Sequence, residues 1–148
     1  MTAVEALLLP VGSDLYALPV EWVREVVAAP TVTRLVTAPA VVLGLFNLRG
    51  QIVPLLDTAA LLGIGTAEAT AFAVVVSCPQ GLAGLATTGF PQRGVLDPPT
   101  GPSDLPGTAG VCQLDETVAT LLDPASLLTP ERVGGAESRS DLGTLVMG

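Results

Sequence analysis

The chain contains no histidine and no lysine. Without histidine, the commonest general base and commonest metal ligand are gone, and no Ser-His-Asp or Cys-His arrangement can be assembled from these residues alone. All basic side-chain charge rests on six arginines, at 24, 34, 49, 93, 132 and 139, set singly against 14 acidic residues. A net charge of −8 with no basic stripe repels phosphate backbones and anionic lipid, so neither nucleic acid nor a membrane surface is an expected partner. Cys78 and Cys112 form no CxxC pair and are too few for a zinc site. Their simplest reading is two core thiols, able to pair only in an oxidising compartment. Long apolar runs are also missing: Arg49 and Asp57 interrupt the best one, which excludes direct membrane insertion through a helix. The start, Met1-Thr2-Ala3-Val4-Glu5, has no basic region before an apolar stretch, so a cytoplasmic location is expected.

Aromatic residues make up only 3%, yet 49% of the 148 residues are apolar, so Leu, Val and Ala must fill the core. With 16 Gly and 13 Pro, the pattern is one of short strands joined by tight turns. Strands are expected over 6–12 and 15–18, over 24–28, and over 45–47 and 51–56 around a turn at Arg49-Gly50. Residues 71–77 read as the clearest buried strand, pairing back with 82–87. A last hairpin is expected over 111–114 and 117–122, turning at Asp115-Glu116. The Pro-rich stretch 97–106 reads as a surface loop and 134–148 as a flexible tail. Trp22, the single tryptophan, is expected to plug a barrel.

One internal repeat stands out. Leu55-Leu56-Asp57-Thr58-Ala59-Ala60-Leu61-Leu62 matches Leu121-Leu122-Asp123-Pro124-Ala125-Ser126-Leu127-Leu128. Each copy has a strand delivering two leucines, an Asp placed to cap a short helix, and two further leucines for the core. Pro124 suits a first helical position and Gly63 a helix end. Asp57 and Asp123 are therefore read as structural caps and not as catalytic acids. Two similar small β-units follow, and short strands with many turns favour small barrels over one large sandwich.

Chemistry-bearing motifs do not complete themselves. Gly63-Ile64-Gly65 is followed by Thr-Ala-Glu and fits neither phosphate-binding pattern, and no G-x-S-x-G occurs. Attention passes to Asn47-Leu48-Arg49-Gly50, a guanidinium set between two apolar runs. Gly50 can supply the positive φ of a turn, and Arg49 is then either a solvated tip or a fork held for a carboxylate.

The order Gly12-Ser-Asp-Leu-Tyr16, Val23-Arg-Glu25-Val26, Ala38-Pro39-Ala40, Gly44-Leu-Phe-Asn47-Leu48-Arg49-Gly50 and Val53-Pro54-Leu-Leu-Asp57 resembles the CheW family of chemotaxis coupling proteins. The resemblance is dense from about 6 to 63 and thinner to about 129. It implies an all-β fold of two packed SH3-like five-stranded β-barrels with short capping helical turns. One domain would span 1–133, with a first barrel at roughly 13–67 and a second at roughly 68–133, the N-terminal strand possibly shared. It implies no catalysis and no cofactor. The implied partners are a histidine kinase of the CheA type and the cytoplasmic tip of a methyl-accepting chemoreceptor. Glu25 and Arg49 match positions that couple to the receptor, often as an ion pair, and Asn47, Leu48, Val23 and Leu43 match their neighbours. Thr87-Thr88-Gly89-Phe90 and the short segment 97–106 depart from the family pattern and suggest a trimmed second barrel. The alternative is a small-ligand sensor or diverged scaffold module on the same double barrel, with a pocket between its units.

Overall fold

The computed structural model describes residues 3–66, 69–79, 81–114 and 116–133. Among these residues, ten strands and two short helices follow one another: β1 (Val4–Val11), β2 (Asp14–Pro19), β3 (Val23–Ala28), β4 (Val42–Leu48), β5 (Gln51–Leu56), α1 (Thr58–Leu62), β6 (Phe72–Cys78), β7 (Gly81–Thr87), β8 (Gln92–Leu96), β9 (Thr108–Leu114), β10 (Thr117–Leu122) and α2 (Pro124–Leu127). A 3-10 turn, Val20–Trp22, joins β2 to β3, opening after Pro19 as that residue's fixed φ allows.

The strands form two five-stranded sheets, one in the order β8-β1-β2-β10-β9 and the other β3-β6-β7-β5-β4. Four of the pairings in each are the same in kind. The hairpins β1–β2 and β6–β7 correspond, β2 lies parallel to β10 as β7 lies parallel to β5, and the outer strands run antiparallel. The second unit is thus β3, β4, β5, α1, β6, β7 in chain order. The first is β8, β9, β10, α2 with its hairpin β1–β2 moved to the start of the chain. The expected division near residue 67 therefore does not describe the sheets: β2 belongs with β8–β10, and β6–β7 belong with β3–β5. A sequential split overlooked that a parallel pairing such as Leu121 beside Ala17 lets residues distant in sequence complete one sheet. The sheet containing β8–β10 has its full five strands, so it is not trimmed. Strand β8, which carries Gln92 and Arg93, was not expected; its Gly and Pro neighbours and two consecutive polar residues hide the alternation.

Both sheets curl, and each closes with a passing segment of chain. Thr33 pairs with Leu45 of β4, and Gly101 pairs with Val111 of β9. At both places the strand needs a glycine. A Cβ on Gly44 would sit 2.4 Å from the Thr33 carbonyl oxygen, and one on Gly110 would sit 2.9 Å from that of Gly101. Gly44 and Gly110 are again one repeat apart, which extends the repeat upstream of the paired leucines.

The core falls into three clusters that follow from strand alternation. Ala6, Leu8, Ala17, Leu96, Cys112 and Leu121 fill one curled sheet. Phe46, Val53, Leu55, Ala73, Val75 and Ala86 fill the other. The opposite faces of the same strands, with both helices, meet between the units: Leu9, Leu18, Leu62, Val74, Leu85 and Leu128 are among them. Strand β6 contributes to both kinds of cluster, which is why 71–77 reads as an unbroken apolar run. Trp22 is half-buried against the cluster between the units and plugs neither barrel. Cys112 is buried and Cys78 only partly so; both thiols are free. The tail at 134–148 and Asp115 of the last turn lie outside the described residues.

Candidate functional site

Strands β4 and β5 are joined by the two residues Arg49 and Gly50, with Leu48 opposite Gln51. Their φ values are 49° and 88°, both in the left-handed region that two-residue hairpin turns of type I′ require. Gly50 adopts this at no steric cost. Arg49 does not, and a bulky side chain there is a local strain that the surroundings must hold. The support is visible on both sides. Asn47 Oδ1 accepts a hydrogen bond from the Gly50 amide at 2.7 Å, which stabilises the turn from below. The guanidinium donates from both terminal nitrogens to Glu25, Nη1 to Oε2 at 2.9 Å and Nη2 to Oε1.

Glu25 is delivered by β3, the strand at the opposite edge of the same sheet. The register slips between Val23 and Glu25, so Arg24 is the extra residue of a bulge and Glu25 faces Val75 of β6. The fork therefore spans the open end of the curled sheet, from the β4–β5 tip to β3. Its side chains are 72% exposed for Arg49 and 30% for Glu25. The hydrogen bond from Arg49, followed by its charge, holds the Glu25 carboxyl below the usual range, and Glu25 raises the Arg49 pKa in return.

Beneath the fork lies an open depression of about 420 Å³, in which Val23, Glu25, Leu48 and Arg49 meet Val75 and Leu82. Leu48 packs against the interior cluster while Asn47 is exposed on the opposite face, as strand alternation requires. Asn47 lines a neighbouring groove of about 650 Å³ with Val27, Leu35, Leu45 and Ile52. Leu43 lines neither space; it packs against the interior cluster at the far end of β4 from Leu48. Sequence reasoning did not reach Val75 and Leu82. Both sit in runs that read as core, and only the curl of the sheet brings their edges to its open end.

The two expected caps differ. Asp57 stands at the N-cap of α1 and its Oδ1 accepts from the Ala60 amide at 3.2 Å. Asp123 occupies the same place before α2, but its side chain caps no amide; its Oδ2 accepts the Ser126 hydroxyl at 3.1 Å instead. With Pro124 and a serine in that first turn, the hydroxyl outcompetes the amides. Among the described residues no group of three or more His, Cys, Asp or Glu side chains could hold a metal ion. No helix among them is long and apolar enough to cross a membrane.

A topology of two permuted, mutually packed β-units with an Arg–Glu fork on one end defines a narrow class. Residues 5–132 match the CheW-like domain, and the chain belongs to that family. It is 38% identical to the "Chemotaxis protein CheW" of Rhizobium meliloti (strain 1021) over 66 residues, which are 45% of this chain and 43% of that one. It is 35% identical over the same length to the "Probable chemotaxis protein CheW" of Rhizobium etli, covering 45% of this chain and 43% of that protein. The chain thus aligns with less than half the length of these relatives. The fold superposes on the crystal structure of the scaffolding protein TtCheW from Thermoanaerobacter tengcongensis with a TM-score of 0.69. The match has 22% identity and covers 86% of this chain and 92% of that one.

Proposed function

We propose that this protein is a non-catalytic cytoplasmic adaptor that couples the tip of a chemoreceptor to a histidine autokinase of the CheA type through surface complementarity alone. Membership of the CheW-like family supports the adaptor class. The observation that carries the site is the bidentate Arg49–Glu25 fork, mounted on a strained turn above a depression in which Val23, Leu48 and Leu82 lie beside polar side chains. A fixed guanidinium beside half-exposed aliphatic surface is the composition of an interaction hot spot. Strain at Arg49 has a use in this reading, because it holds the fork at the tip where a partner can reach it. Glu25 aims the fork and Asn47 holds the turn, while Leu43 belongs to the cluster that supports the strand from inside.

Co-sedimentation of the purified protein with receptor-bearing membranes and the kinase tests this. Arg49→Glu is expected to lose the complex while the far-ultraviolet circular dichroism stays that of the parent. Undiminished co-sedimentation with that variant overturns the reading. A second reading, a small-ligand sensor, draws on a pocket of about 490 Å³ between the units, lined by Val11 and Asp14 from one and Ala59 and Ile64 from the other. It requires a ligand-dependent rise in melting temperature of the isolated protein, and a metabolite panel without one removes it.

A further inference from the structure

Leu61 and Leu127 occupy the same place in the two copies of the repeat, each in the closing turn of its short helix. The last carbonyls of a helix have no amide above them and need another donor. Here one side chain supplies both: Arg132 donates from Nε to the Leu127 carbonyl at 3.2 Å and from Nη2 to the Leu61 carbonyl. Arg132 is half-buried and lies in a turn held by its own amide and that of Val133, which donate to the Thr129 carbonyl at 3.0 and 3.1 Å. Val133, buried in the cluster between the units, anchors the far side. A cation at a helix C-terminus is favoured by the local dipole, and a charge-assisted hydrogen bond is about twice as strong as a neutral one.

We infer that Arg132 is a clamp that fixes the two helix ends relative to each other, by holding the equivalent carbonyl of each unit with one rigid fork. The hydrophobic cluster between the units is non-directional. Direction comes from hydrogen bonds across it: Thr88 to Pro10 and from Gly12 at one place, and the planar guanidinium of Arg132 at the other. Lysine cannot replace it, since an ammonium is a point charge without the fork's geometry. The pocket between the units takes walls from both, Ala59 of α1 and Ile64 after it on one side and Val11 to Asp14 on the other. The inference concerns how the fold is held and stands apart from the adaptor reading.

Amide hydrogen exchange on the full chain tests it, comparing the parent with Arg132→Ala and Arg132→Lys. In Arg132→Ala, exchange at the amides of Gly63, Ile64 and Leu128 is expected to rise roughly tenfold or more, the factor that one charge-assisted hydrogen bond carries. Amides of the central strands, such as Val74 and Ala17, are expected to keep their protection. Arg132→Lys is expected to show the same local pattern, and it serves as the test should the alanine variant fail to fold. Unchanged exchange at the three helix-end amides overturns the clamp. So does a loss of equal size in every strand, which makes Arg132 a contributor to overall stability only. Full protection in the lysine variant also overturns it, because charge without a fork would then suffice.

Discussion

The two units share a topology, a repeat and a mode of closure, yet among the described residues only one of them carries an Arg–Glu fork at its open end. In the β3–β7 unit Glu25 faces Val75 and reaches Arg49 on the hairpin tip. In the other unit the register places Gln92 opposite Leu8, the corresponding position, and the hairpin after Gln113-Leu114 continues with Asp115-Glu116. The same backbone thus presents an arginine turn at one end and Glu116 at the other. The difference lies in side chains at equivalent places.

The comparison can be broken most sharply at the closing glycines. Gly44→Ala drives a Cβ into the Thr33 carbonyl, and a destabilisation of about 3 kcal/mol is expected, at the upper end for overpacking. Gly110→Ala meets the Gly101 carbonyl less closely and is expected to cost about 1–2 kcal/mol. Urea midpoints read at constant slope measure both. Equal losses mean the two closures are mechanically the same.

The caps give the next largest contrast. Asp57→Ala removes the acceptor for the Ala60 amide and is expected to cost about 1 kcal/mol. Asp123→Ala is expected to cost less than half of that, because its side chain caps no amide. Thermal unfolding of the two variants side by side decides it, and a larger loss at Asp123 reverses the assignment of the caps.

The smallest effect is a pH dependence at the Arg49–Glu25 pair. The Glu25 carboxyl titrates below its ordinary value of 4.5 because Arg49 donates to its charged form. The contribution of the pair is therefore fully present above that value and is lost as the pH falls through the lowered one. A carboxyl-carbon titration by nuclear magnetic resonance is expected to show Glu25 lowered in the parent and returned towards the ordinary value in Arg49→Gln. A titration unchanged by that substitution disconnects the two residues.

Much of this was legible from the chain. The Leu-Leu-Asp repeat announced two like units, and the strand at 71–77 announced one buried on both faces. The Asn-Leu-Arg-Gly run marked its own hairpin, and the pairing of Arg49 with Glu25 came from the family resemblance. Other features were hidden for identifiable reasons. Parallel contacts such as Leu55 beside Gly84 leave no local signal, so the permuted assignment of β1–β2 did not show. Strand β8 is masked by Pro91 and Gly94. The different fates of Asp57 and Asp123 turn on a single competing hydroxyl, Ser126. Arg132 looked like one more scattered charge, since nothing in its neighbours reveals that two carbonyls 66 residues apart converge on it.

By itself the sequence determined the class of structure and what it could not be: all-β, twofold in its parts, without histidine chemistry. Those properties are written in composition and period, which act locally. Tertiary structure alone decided which hairpin completes which sheet, that β3 and the β4–β5 tip share one open end, and that the two helices meet at one guanidinium. Such placements depend on contacts between residues far apart in the chain, and these arise only when the sheets curl and their apolar faces are buried against each other.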